Sequence, residues 1–218
     1  MWQYADGTGT AEVLVKPNPE QQLQSGYVAE SVYGTTLAFR ARGNGADIWQ
    51  LSLDGDHTPK PLISLPANQQ GAAISPDGHW IAYSSDETGR LEVFVQPFPP
   101  TGAKYQVTTN NPNQAFIAVP GPLWSPDGKR LFYAEVGGGG AQLSSVDVIT
   151  APALSFPNPK TVMRFAASPG GALRNYDTRD GKRFFVVVNE GGDTPQSQTE
   201  MRITLNWFAE IKSHFRGN

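Results

Sequence analysis

The chain has 218 residues, no cysteine and a formal net charge of −3, which excludes disulfides, thiolate metal centres and a cysteine nucleophile. Its 17 Lys and Arg residues are scattered along the chain, so nucleic acid is disfavoured as the main partner. With 23 Gly, 18 Pro and only 17% charged residues, the composition calls for many short elements joined by turns, and no apolar run is long enough for membrane insertion of this chain.

The opening residues Met1 to Asp6 lack the basic start and apolar segment of a secretion signal. The expectation is a cytoplasmic protein or one whose addressing segment has been lost, and loss is favoured. Residues 2–15 read as the second half of a four-stranded unit, with Asp6-Gly7 parallel to Asp54-Gly55 and 11–15 parallel to 60–64.

A repeat follows. Ser75-Pro76-Asp77-Gly78 returns 50 residues later as Ser125-Pro126-Asp127-Gly128, then after another 53 as Thr178-Arg179-Asp180-Gly181. A degenerate copy around Ser31 to Phe39 precedes them by 44 residues. In such a motif Pro presets φ for the first turn position, Asp bonds nearby backbone amides, and Gly accepts a positive φ. Each copy therefore closes a tight hairpin between two strands. The strand after each turn is read at 80–84, 131–135 and 183–188, rich in aromatic and β-branched residues. A further strand is read at 46–53, 91–97, 142–149 and 201–207, and shorter ones at 60–64, 104–108 and 161–165. Only 207–215 has any helical character.

Four strands per 40 to 50 residues is the period of a β-propeller blade. The expected fold is all-β, a propeller of four-stranded antiparallel blades with four to five blades. A half blade at 2–15 precedes units at about 29–64, 72–108, 122–165 and 174–208, in one domain spanning 1–218 or in the C-terminal piece of a longer propeller. In the first case the termini complete each other's blade. In the second the ring is incomplete, and its open blade edges favour a homodimer.

Five segments carry a family resemblance: Ala46-Asp47-Ile48-Trp49-Gln50-Leu51, the stretch Ser75 to Tyr83, Glu92 to Pro99, Trp124 to Tyr133, and the ending Leu205-Asn206-Trp207-Phe208. Through them the chain resembles TolB-like (WD-repeat-like) propeller repeats, of the kind found at the C-terminal end of bacterial eukaryotic-like serine/threonine protein kinases. The resemblance implies an extracytoplasmic or periplasmic location if a membrane-spanning kinase is attached, and a cytoplasmic one otherwise.

Chemistry-bearing residues are sparse. His57, His79 and His214 lie far apart and outside any ligand spacing, so no metal or cofactor is expected. The recurring Asp77, Asp127 and Asp180 are explained by the turn. Propellers of this kind also precede prolyl-oligopeptidase-type catalytic domains, but the nearest imitation of a nucleophile elbow, Ala167-Ser168-Pro169-Gly170-Gly171, has proline where an oxyanion-binding amide is needed. Gly137 to Gly140 leads into a strand and not a helix, so it reads as a hairpin tip, and 191–198 as a longer polar loop. Trp49, Trp80, Trp124, Phe94, Phe132, Tyr133 and Phe184 are assigned to packing between blades, while Tyr105, Phe116, Tyr176 and Trp207 are left open.

The function expected is a non-catalytic scaffold for protein–protein interaction or ligand sensing, within a larger bacterial protein. A protein or small ligand would bind at a channel mouth formed by loops such as 110–120 and 166–175. The alternatives are an esterase or peptidase with an unrecognised serine site, and a carbohydrate-binding propeller.

Overall fold

A computed structural model describes residues 10–16, 25–42, 45–109, 116–118, 121–137, 140–165 and 174–187. Strands β1 (Ser25–Tyr33), β2 (Thr36–Arg42), β3 (Ala46–Ser52) and β4 (Lys60–Ile63) form an antiparallel sheet in chain order. A second sheet repeats this with β5 (Gln69–Ile74), β6 (Trp80–Ser85), β7 (Glu92–Pro97) and β8 (Tyr105–Gln106). In the third, β9 (Phe116–Ala118) and β10 (Leu123–Trp124) both pair with β11 (Arg130–Gly137), followed by β12 (Gly140–Asp147) and β13 (Lys160–Phe165). Because β9 faces Glu135 to Gly137 and β10 faces Leu131 and Phe132, the two pieces fill one strand position. β14 (Tyr176–Thr178) and β15 (Phe184–Val186) form the described part of a fourth sheet. The strand expected at 201–207 and the segment 207–215 lie outside the described residues.

The elements close on themselves through the repeated turn. The Ser75 hydroxyl donates to Asp77 Oδ1 at 2.5 Å and accepts the Trp80 amide at 2.9 Å, while Asp77 Oδ1 also accepts the His79 amide. Ser125, Asp127, Lys129 and Arg130 reproduce this bond for bond. In the third copy Thr178 Oγ1 donates to the Arg183 carbonyl, and Asp180 Oδ1 accepts the amides of Lys182 and Arg183. Polar groups that a bend would leave unpaired are thus satisfied inside the turn.

Alternation along the strands then sets the architecture, since residues one apart face opposite sides of a sheet. On β6, Ile81 and Tyr83 enter a core shared with Ala38, Ile48, Leu62 and Ile63 of the first sheet. Ala82 between them enters a different core, shared with Trp124, Leu131, Tyr133 and Val146 of the third. On β11 the same switch sends Leu131 and Tyr133 to the second sheet, and Phe132 and Ala134 to Tyr176, Phe184 and Val186 of the fourth. The second and third sheets are therefore covered on both faces by neighbours, which is a propeller's packing and not a two-layer sandwich's. The outer face of the first sheet, with Phe39, Trp49 and Leu51, receives Leu14 and Val15 of the segment 10–16. No helix occurs among the described residues, and so none is long and apolar enough to cross a membrane.

Candidate binding face and axial wall

The first strands of successive sheets are joined to one another around the axis. β5 is bulged between Gln70 and Ala73, which turns the amides of Gly71 and Ala72 away from their own ladder. Glu30 of β1 accepts both, at 2.8 and 2.7 Å. Ser31 accepts the Ile74 amide at 3.0 Å just below. Trp124 of β10 donates its indole N–H to the Ala73 carbonyl at 2.9 Å, and Tyr176 of β14 donates to the Gly121 carbonyl at 2.7 Å. Arg174, which donates to the Pro122 carbonyl, also reaches back electrostatically to Glu30.

Burial dominates the chemistry of Glu30 and raises its pKa, against the opposing pull of the Ala72 and Gly71 amides, Arg40 and Arg174. The Arg40 guanidinium donates to Gln70 Oε1 at 2.8 Å, and its Nε lies 3.9 Å from Glu30 Oε1. Hydrogen bonds of Glu30, Ser31 and Arg40 with β5 thus hold the two sheets together, with the Arg40–Glu30 pair inside the first sheet.

The two ends of the propeller differ. One carries the repeated tight turns and, beside them, the connections 53–59, 98–104 and 148–159. The other carries the hairpin between β2 and β3, the hairpin between β6 and β7, and the link 64–68 between the first and second sheets. That link is rigidly held. Gln69 is fully buried and bonds the Ala67 carbonyl and the Leu65 amide through its side chain. Asn68 donates its backbone and side-chain N–H groups to Asp86, each at 2.7 Å, and accepts the Ala46 amide. These bonds from the Asn68 side chain and amide hold the Asp86 carboxyl below its ordinary range. Beside them opens a cavity of 490 Å³ lined by Gly45, Asp47 and residues 64–68. Asp47 there is shifted upward by burial, partly offset by a hydrogen bond from Ser64.

A smaller cavity of 270 Å³ lies between the second and third sheets, with Tyr133, Glu135, Gln142 and Ser144 as its floor. Its origin is a substitution between repeats. Tyr83 stands opposite Phe94 in the second sheet, the rings stacked with centroids 5.9 Å apart, whereas the corresponding Tyr133 stands opposite Ser144. Glu135 Oε2 accepts the Gln142 amide and the Ser144 hydroxyl, each at 2.7 Å.

The residues weighed from sequence fall out as follows. Phe94, Trp124, Phe132 and Tyr133 are buried in the inter-sheet cores, with Trp80 and Phe184 half-buried against them, whereas Trp49 is buried on the outer face of the first sheet beside Leu14 and Val15. Tyr105 packs edge-on to Trp80, and Tyr176 is buried in the seam to the third sheet. His57 donates its ring N–H to the Ser52 carbonyl at 2.9 Å, and His79 sits exposed on its turn. Ser75 and Ser125 donate to the turn carboxylates, and Ser144 donates to Glu135. His214, Ser168, Trp207, the loop 191–198, the side chain of Phe116 and most of 110–120 and 166–175 lie outside the described residues. Sequence reading missed Glu30 and the group Glu135, Gln142 and Ser144. A signal for the latter existed: the 50-residue offset aligns Ser144 with Phe94.

No protein-family model matches the sequence, and no curated protein does. Among solved structures, a protein assigned as TolB from Agrobacterium tumefaciens superposes with a TM-score of 0.57 at 17% identity, over 72% of this chain and 54% of that one. The chain has the TolB-like β-propeller fold. It spans about half the length of that protein. TolB from Acinetobacter baumannii is also similar, with a TM-score of 0.49 and 21% identity over 70% of this chain and 36% of that one. An oligogalacturonate lyase in complex with manganese gives 0.45 and 16% over 60% and 37%. In this chain the second and third sheets of that fold are each covered on both faces by neighbouring sheets.

Proposed function

We propose that the chain is a non-catalytic propeller scaffold, the docking or sensing end of a larger bacterial protein, and that it engages a protein partner on the end carrying the link 64–68. One observation carries the choice of end. At the end opposite the repeated turns, the link 64–68 is held rigid by the bonds of Asn68 and Gln69 beside a 490 Å³ cavity. Variable loops on a rigid scaffold bind with little ordering entropy lost.

Backbone amide exchange tests the face. In the longer protein engaged with its partner, amides at 64–68 and 86–91 are expected to exchange more slowly than in the isolated chain, with the turns at 76–79 and 126–129 unchanged. Protection of the turns instead would reverse the choice of face. The class of function is tested with a panel of ester and peptide substrates. No turnover is expected, and turnover abolished by His57→Ala, His79→Ala or His214→Ala would replace the scaffold with a hydrolase.

A further inference from the structure

The cleft between the second and third sheets is limited in what it can hold by size, polarity and charge. Its 270 Å³ equals the volume of about nine waters at liquid density. That suits one sugar-sized ring and not a peptide or polymer.

Its lining is hydroxyl and amide in character, through Tyr133, Ser144, Thr108, Thr161 and Gln142. An apolar guest would strip water from these groups and return no hydrogen bonds, at a net loss. A guest with several hydroxyls replaces each lost bond. Ser144 and Thr108 are themselves buried, so their hydroxyls are fixed rather than mobile on a surface.

The charge is negative. Glu135 lines the cleft with Oε2 already oriented by Gln142 and Ser144. Glu92, buried behind the lining residue Thr108, accepts its hydroxyl. Burial, reinforced by Glu135 and then Glu92, pushes the Tyr133 phenol up to about 12, so it remains a donor at neutral pH. The cation in the lining, Lys160, is exposed at the rim, where water screens it.

We propose that this cleft binds a small polyhydroxylated molecule carrying a primary ammonium group, of the amino-sugar class. Its ammonium sits against Glu135, and its hydroxyls meet Ser144, Thr108, Thr161 and the Tyr133 phenol. The equivalent position in the second sheet is plugged by Phe94 on Tyr83, so the opening belongs to the third sheet's own residues. The cleft shares no lining residue with the cavity at Gly45, Asp47 and 64–68.

Calorimetric titration of the whole chain with glucosamine, glucose and calcium chloride tests this. Glucosamine is expected to bind saturably, one per chain, and about tenfold or more tighter than glucose, the factor supplied by one charge-assisted hydrogen bond. Ser144→Phe, which restores the second sheet's plug, is expected to abolish binding. Glu135→Gln, which still accepts from Gln142 and Ser144, is expected to bring glucosamine down to the level of glucose, and it keeps the test decisive should Ser144→Phe fail to fold. Absence of saturable glucosamine binding, equal affinity for glucose, binding that survives Ser144→Phe, or heat from calcium alone would each overturn the assignment.

Discussion

Trp124 donates its indole N–H to the Ala73 carbonyl across 2.9 Å, inside the core that the second and third sheets share. The side chain therefore fills space and satisfies a backbone acceptor together. Trp124→Phe keeps most of the apolar surface but removes the donor, and about 1–3 kcal/mol of stability should be lost. Trp124→Ala removes the ring as well, and about 3–5 kcal/mol is expected. Urea unfolding reads both as a lowered midpoint at constant slope. A Phe variant as stable as the parent would mean that the bond contributes nothing net.

Gly78 and Gly128 hold the same turn position at φ +72° and +68°, yet their surroundings differ. A Cβ on Gly78 would lie 2.2 Å from the Tyr33 ring, whereas one on Gly128 meets nothing nearer than 3.9 Å. Gly128→Ala should cost about 1–2 kcal/mol from the left-handed conformation alone. Gly78→Ala should cost more, because the Tyr33 ring must move and give up its bond to the Asp77 carbonyl. In a Tyr33→Ala background the two substitutions are expected to become equal, so the coupling is measurable as a double-mutant cycle. Additivity would show that Tyr33 swings aside without loss.

These contrasts show what was legible from sequence. Ser75 and Ser125 lie 50 residues apart because each closes an identical ring of hydroxyl, carboxylate and amide bonds, so the repeat could be read from residue identities alone. The alternation of Ile81, Ala82 and Tyr83 could likewise be seen to need two covered faces. Glu30 could not be assigned, since its partners are the backbone amides of Gly71 and Ala72, some forty positions away and freed by a bulge. The cleft at Ser144 needed the register, which alone sets Ser144 opposite Tyr133. Backbone partners and cross-strand neighbours leave no mark in a residue's own type.

The turn aspartates should give the protein an acid-sensitive component. For Asp77, burial raises the pKa, but the Ser75 hydroxyl and the His79 amide together outweigh it and the net shift is downward. The Ser125 hydroxyl and Lys129 amide lower Asp127, and the Arg183 and Lys182 amides lower Asp180 to about 2. Because the folded values lie below the unfolded one near 4, the unfolded chain takes up protons first as pH falls. The contribution is present above pH ~4 and is lost as pH drops through each folded value. Carboxyl carbon shifts in an NMR titration should report Asp180 near 2. An Asp127→Asn variant should converge on the parent in stability as the pH is lowered. A gap that stays constant in acid would assign the turn's stability to groups other than this carboxylate.

Glu30 should respond with the opposite sign. Its pKa is raised by burial despite the bonds from Ala72 and Gly71, so the folded state binds the proton more tightly than the unfolded chain does. The stabilising contribution is then full below the unfolded pKa and lost as pH rises through the folded one. Glu30→Ala removes the acceptor of two buried amides and the carboxylate beside Arg40, whose Nε has no hydrogen-bond partner. A loss of about 3–5 kcal/mol is expected, as when one member of a buried pair is deleted. The stability difference between parent and Glu30→Ala should widen as the medium is acidified toward pH ~4, because only the parent gains from protonation. Urea midpoints across that range decide the matter, and a difference that narrows would mean the amides and arginines win over burial at Glu30.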